Sequence, residues 1–308
     1  MLSQSALIER FSKEATRGSA SHMLIEDDVL YSYGSHFPLA IRQDWGQDIR
    51  YLVNGDHYSA TTSMHQRHCF GRLTPNVQVP FSALSAAGLA DYGIPNRDLE
   101  IVSNRPDEFH YTCSHCDREV ENTDEALDPS KLWTYHHIDD LTPLCAQAHG
   151  ETISHHVLGA VVLEHEGRSF LSSIDEQEGW RMRAYFLCLL PKPVASIEDA
   201  FDSLVPDEVR NAKESGIEVR RQGDIFLLAA RHSTREIHVP TEHHAQLFNT
   251  THVATEVRVN GAVYVRGTLR HQPDGRHSQH RMLRLGRSWW IAIKNLALAS
   301  WNAVGSVD

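Results

Sequence analysis

Between Thr251 and His271 two runs of β-forming residues, THVATEVRV and AVYVRGTLRH, flank the dipeptide Asn260-Gly261. This constrains the fold more than any other feature. Asn-Gly between alternating apolar and polar residues is the strongest short-range signal for a hairpin with a two-residue loop. The runs IFLLAA (225–230), EIHVP (236–240), RMLRLG (281–286) and SWWIAIKN (288–295) are equally short and rich in β-formers. Together they predict one antiparallel sheet system, a β-sandwich or small barrel. Upstream, HHVLGAVVLEHEGRSFLSSI (155–174) reads as a further hairpin turning at Glu166-Gly167. Ser196 is an expected N-cap with acids in the following turn, and Gly216 an expected helix stop.

The chain is therefore expected to be α+β and rich in antiparallel strands, with a few helices. Its 308 residues allow about two domains of typical size. The expected parts are an N-terminal α+β domain (1–94), an irregular acidic Cys/His segment (95–150) and a β-rich C-terminal domain (151–308). In the first part RYLVNGDHYSATT, around Asn54-Gly55, predicts another hairpin over 50–62. His65 and His68 follow in a polar turn or on one helical face.

A hydrophobic fraction of 41% is ordinary for a packed protein and excludes wholesale disorder. No apolar run approaches the ~20 residues that span a bilayer, so no membrane is expected. The N-terminal MLSQSALIERFSKEATRGSASHM lacks the charged-then-apolar pattern of a secretory signal, and the five cysteines are scattered. A cytoplasmic location is the expectation. A net charge of -11 argues against general polyanion binding. The distribution is uneven, however. Residues 91–140 carry thirteen acids and four Lys or Arg; residues 251–300 carry eight Lys or Arg and two acids. The basic region is a candidate contact for nucleic acid or a protein partner.

Twenty-one histidines are the compositional outlier, pointing to metal sites or acid–base chemistry. If Val259 pairs with Ala262, His252 falls opposite Leu269 and Glu256 opposite Val265. One face then carries His252, Glu256 and His271, with the histidines as diagonal neighbours. Two or three imidazoles and a carboxylate suit zinc or another divalent metal. His252, His271 and His280 are the expected ligands, with Glu256 as ligand or base and His277 in reserve. A β-bulge between His252 and His271 would break this face. Arg221-Gln222-Gly223-Asp224 reads either as a polar turn or as a loop bringing Arg221 and Asp224 to the histidines. Arg221, Arg266, Arg270 and Arg281 are candidate phosphate holders.

A second candidate is structural. Cys113 and Cys116 form half a zinc site, which His137 and Cys145 can complete. No phosphate-binding glycine loop, HExxH or GxSxG is present.

YSYGSHFPLA and VNGDHYSATTSMHQ, within Tyr31–Gln66, resemble a small domain frequent in phage and plasmid proteins. HHVLGAVVLEHEGRSFLSSIDE, RQGDIFLL, THVATEV, VYVRGTLRH and HRMLRLGRSWW resemble proteins of bacterial and archaeal mobile elements. The resemblance implies a mobile-element context and carries no activity or catalytic residue. The order Gly267, Pro273, Gly275, His277 is similar to a cupin motif, one residue short and without the paired HxH element. Two functions are expected from these readings: a metal-dependent hydrolase of nucleic acid or another phosphate-bearing substrate, or a non-catalytic accessory protein that binds nucleic acid or protein and holds structural zinc.

Overall fold

The structure, a computed structural model, describes residues 2–45, 48–56, 58–105, 108–113, 119–122, 135–137, 152–157, 159–174, 185–230, 239–271 and 282–302. It is a β-rich α+β protein of mainly antiparallel sheets. The chain divides into two compact units, one built from Met1–Asn104 with Val161–Asp308 and the other from Arg105–Ala160. Among the described residues no helix is long and apolar enough to cross a membrane.

The first unit begins with helix α1 (Gln4–Ser12), capped by the Ser3 hydroxyl, which accepts from the Ala6 N–H. A meander follows: β1 (Arg17–Ala20), β2 (Met23–Glu26), β3 (Val29–Ser32), β4 (Phe37–Trp45) and β5 (Asp48–Asn54). The hairpin expected over 50–62 does not form. β5 leads instead into helix α2 (Ala60–Phe70), and the chain returns as β6 (Asn76–Val79), parallel to β5. Tertiary partners override the Asn-Gly preference. The Asn54 Nδ2 donates to Pro38 O, and its Oδ1 accepts from the Asp56 N–H. The Gly55 N–H bonds to Val79 O, and Ser59 caps α2 through the Thr62 N–H. A Cβ on Gly55 would lie 3.1 Å from the Tyr185 ring, so glycine serves close packing here.

After α3 (Phe81–Ala86) come the short ladder of β7 (Ala90–Asp91) and β8 (Ile94–Pro95), then β9 (Glu100–Arg105). In the second unit β10 (Glu108–Cys113), β11 (Glu119–Asn122), β12 (Tyr135–His137) and β13 (Thr152–Val157) form a sheet of order β12-β11-β10-β13.

The first unit resumes with β14 (Ala160–His165) and β15 (Arg168–Ile174), joined at Glu166-Gly167, where both residues have positive φ. β16 (Tyr185–Leu189) completes this run. Helix α4 (Ile197–Ser203) starts at the expected Ser196 cap, and α5 (Asp207–Glu214) is followed by Gly216 at φ 67°. The remaining strands are β17 (Val219–Gln222), β18 (Ile225–Ala229), β19 (Glu242–Gln246), β20 (His252–Asn260), β21 (Ala262–His271), β22 (Leu283–Lys294) and β23 (Ala299–Asn302). β23 leaves the C-terminal sheet and joins the order β23-β16-β15-β14-β9. Leu52, Phe81 and Leu84 share one core with Val161, Phe170 and Leu187, so early and late parts of the chain stabilise each other.

The C-terminal sheet has the order β17-β18-β22-β21-β20-β19 and is not a closed barrel. It nevertheless curls. Its inner core draws on its own strands and the turn after β19: Ile225, Leu247, Ala254, Val265, Leu269 and Trp290 all pack together. The ladder shifts register between Ala254 and Glu256, and again around Gly267. Such bulges bend strands and increase twist. Gly267 sits at φ 85°, a conformation that favours glycine.

Candidate functional site

The hairpin at Asn260-Gly261 forms with a different register from the one expected. Asn260 pairs with Ala262, leaving Gly261 alone at the tip with φ 68°. Glu256 pairs with Arg266, and the bulge then brings Ala254 opposite Leu269 and His252 directly opposite His271. The two histidines therefore share the inner face with Ala254, Leu269 and Val265, while Glu256 points to the outer face. The expected trio of His252, Glu256 and His271 is not one constellation. The inserted residue changes which side chains share a face, as a single-residue slip does in any strand. Glu256 is held by Arg266, whose Nη2 and Nε lie 2.5 and 2.6 Å from its Oε2.

Asp224 takes its place beside the histidines. Gln222 pairs with Ile225 across a two-residue loop whose first member, Gly223, has φ 54°. This turn lies at the end of the sheet where Ile225 pairs with Lys294. His252 lies at the opposite end of β20 from the hairpin tip. The curl closes that distance, and Asp224 Oδ1 comes to 3.0 Å from His252 Nδ1. Burial alone pushes the Asp224 carboxyl up. The neighbouring His252 ring and the charge on Lys294 outweigh it and hold the group below the usual carboxylate value.

His252 is 2% exposed and His271 6%. The Thr250 hydroxyl lies 3.3 Å from His252 Nδ1 and accepts from the His252 N–H. On the other side of the ring, Nε2 is buried with no hydrogen-bond partner among the described residues. A Cβ at Gly223 would come within 3.1 Å of both Nε2 and Cε1, so glycine here lets the turn pack closely against that edge of the ring. Thr250 carried no sequence signal of its own, whereas Gly223 is a residue that a polar turn at RQGD calls for. The crowding of polar residues in RQGD also hinted at the turn.

The imidazoles stack, with centroids 4.7 Å apart and planes inclined by 28°. A metal ion lies in the plane of the ring that binds it, about 2.0–2.1 Å beyond the nitrogen. Two rings stacked in this way have planes that run alongside each other, so they do not aim at a common ion. Among the described residues no group of three or more His, Cys, Asp or Glu is arranged to hold one.

The remaining candidates divide into three sets. Arg221 is exposed in the Asp224 turn, where its Nε donates to Gly223 O at 2.7 Å. Arg270 is exposed next to His271, on the outer face. Arg266, committed to Glu256, is also on the outer face and away from the imidazoles. Cys113 ends β10 and His137 ends β12, with β11 between them. Cys116, Cys145, His277, His280 and Arg281 lie outside the described residues, as does the segment with Pro273 and Gly275.

His65 and His68 are in helix α2 rather than a polar turn. His65 is fully buried, with Nδ1 2.8 Å from the Ser32 hydroxyl and Nε2 2.9 Å from Gln4 Nε2. Burial, with His68 and His22 nearby, lowers its pKa. Both nitrogens have protein partners, so this histidine is part of the packing between α1, β3 and α2.

Comparison with protein-family models, curated proteins and solved structures finds no match.

Proposed function

We propose that the protein is a hydrolase acting on a phosphate-bearing substrate through Nε2 of His252, with Asp224 orienting the ring. One observation carries this reading: a buried imidazole whose Nδ1 meets a carboxylate while its Nε2 is left without a partner. Buried polar atoms are overwhelmingly satisfied, and exceptions concentrate where a ligand, ion or reacting group belongs. A carboxylate at one imidazole nitrogen selects the tautomer that presents a lone pair at the other. That lone pair takes a proton from water in general-base catalysis, or binds a divalent ion that acidifies water. Either use delivers hydroxide to the phosphorus of a phosphate ester; the ester P–O bond breaks and the leaving alkoxide takes a proton, from the His252 imidazolium in the general-base case or from water otherwise. The mobile-element resemblance makes nucleic acid the natural phosphate-bearing substrate. Zinc in the Cys113, Cys116, His137 and Cys145 segment would have a separate, structural role.

The test compares wild type with His252→Gln and Asp224→Asn on an activated phosphodiester and on DNA and RNA. Metal content is measured in each preparation. The expected result is a loss of about 10²–10⁴-fold in His252→Gln, with folding retained by circular dichroism. A wild type that hydrolyses none of these substrates, or a His252→Gln variant as active as wild type, would overturn the proposal. Metal that leaves with His252 identifies the ion-dependent use of Nε2. Activity that survives exhaustive chelation identifies the general-base use.

A further inference from the structure

The bulge that removes Glu256 from the histidines also assembles the opposite side of the sheet. On β21 the buried residues Val265, Leu269 and His271 define the inner face, so Arg266 and Arg270 face outward. On β20 the inner residue Val257 leaves Arg258 outward. On β22 Arg284 pairs with outward Thr268, while neighbouring Leu283 pairs with inner Leu269. Four arginines from three adjacent strands thus share one surface, and among the described residues of these strands Glu256 is the one acid there. Helix α5 does not cover them. Its Val209 and Ala212 pack on Phe226, Leu228, Ile291 and Ile293, which lie toward β18.

Two of the cations are crowded together. The Arg258 and Arg266 guanidiniums lie 4.8 and 4.6 Å from the same Trp289 ring. The indole is only 6% exposed although it faces outward. Cation–π attraction, the Glu256 carboxylate and the bond from Arg258 Nε to Thr241 Oγ1 hold both groups in place. Arg270 and Arg284 extend the same face and are exposed. Such a surface is complementary to a polyanion in spite of the chain's overall negative charge. Among the described residues no helix or ribbon projects from the array to enter a duplex groove. The charges lie along a sheet, ~4.8 Å apart across strands and ~6.8 Å apart for alternate residues, which suits following a single backbone.

We infer that the outer face of β20, β21 and β22 is a docking surface for single-stranded nucleic acid, gripped through its phosphates by Arg258, Arg270 and Arg284, with the Glu256-bound Arg266 fixing Trp289 and Arg258 beside them. This does not rest on the chemistry of His252.

The experiment uses the full chain and a labelled oligothymidylate of about 20 nucleotides, longer than one sheet-face site. Binding is followed by fluorescence anisotropy between about 50 and 200 mM salt. The Arg270→Gln/Arg284→Gln pair leaves the Arg–Trp–Glu cluster intact. It is expected to bind several-fold more weakly, with a salt slope shallower by about 1.4, from about 0.7 per lost contact. A Lys192→Gln/Lys213→Gln pair, with the same change in net charge elsewhere, is expected to bind like wild type. Absence of wild-type binding at low salt, an equal loss in the two pairs, or tighter binding to duplex of the same length would each overturn the inference. Retained binding by His252→Gln separates this surface from the hydrolase reading. Failure of either leaves the other standing.

Discussion

The rings of His252 and His271 stack with centroids 4.7 Å apart, and both side chains are buried on the inner face of the C-terminal sheet. The stack lies where the β20–β21 ladder pairs these two residues directly, and Asp224 reaches it from the β17–β18 turn. Stability and chemistry here depend on how the sheet bends.

The Asp224–His252 contact ties distant ends of the sheet together. Asp224→Asn removes the charge while keeping the shape, and is expected to cost about 1–3 kcal/mol. Because the Asp224 pKa is held down in the fold, its contribution is present above the unfolded carboxylate value and is lost as pH falls through the folded value. Denaturant unfolding of wild type and Asp224→Asn at several acidic pH values checks this. The gap between them is expected to narrow as pH falls.

The sign is the same for His65, though the group differs. Burial lowers its pKa, so the fold prefers the neutral ring. That contribution is intact above the unfolded histidine value of about 6.5 and is lost as pH falls from there through the folded value. Urea unfolding at about pH 7.5 and 5.5 measures the loss. His65→Asn is expected to be less stable at the higher pH and to show a smaller decline between the two.

Gly267 and Gly261 both have positive φ, but their surroundings differ. A Cβ at Gly267 would lie 2.9 Å from Thr255 Cβ, whereas nothing lies within 4 Å of one at Gly261. Gly267→Ala is expected to destabilise by about 2–4 kcal/mol, from strain and overlap together. Gly261→Ala is expected to cost about 1–2 kcal/mol. Thermal unfolding of the two variants separates them.

Cys69 and Cys188 are buried, which pushes both thiols up to about 12. At about pH 8 neither is expected to react with iodoacetamide unless the chain unfolds. Peptide mapping by mass spectrometry after native and denatured labelling reads this directly.

Much of the architecture was legible along the chain because its signals are local. Alternating β-formers, the Asn260-Gly261 hairpin, the Ser196 cap and the Gly216 stop each act over a few residues, and each appears in the structure. Asn54-Gly55 shows where local preference loses. The same dipeptide leads from a strand toward a helix there, because Val79, Pro38 and the packed Tyr185 ring supply stronger constraints from far along the chain.

The amino-acid order alone determined that the C-terminal part forms antiparallel strands and that His252 and His271 come from neighbours in one hairpin. Only the tertiary structure decided that they pair face to face, that Glu256 belongs to the arginine surface and that Asp224 completes the inner cluster. The reason is that one extra residue in a ladder changes both side-chain direction and strand curvature. Whether such a residue is accommodated depends on packing against strands remote in sequence.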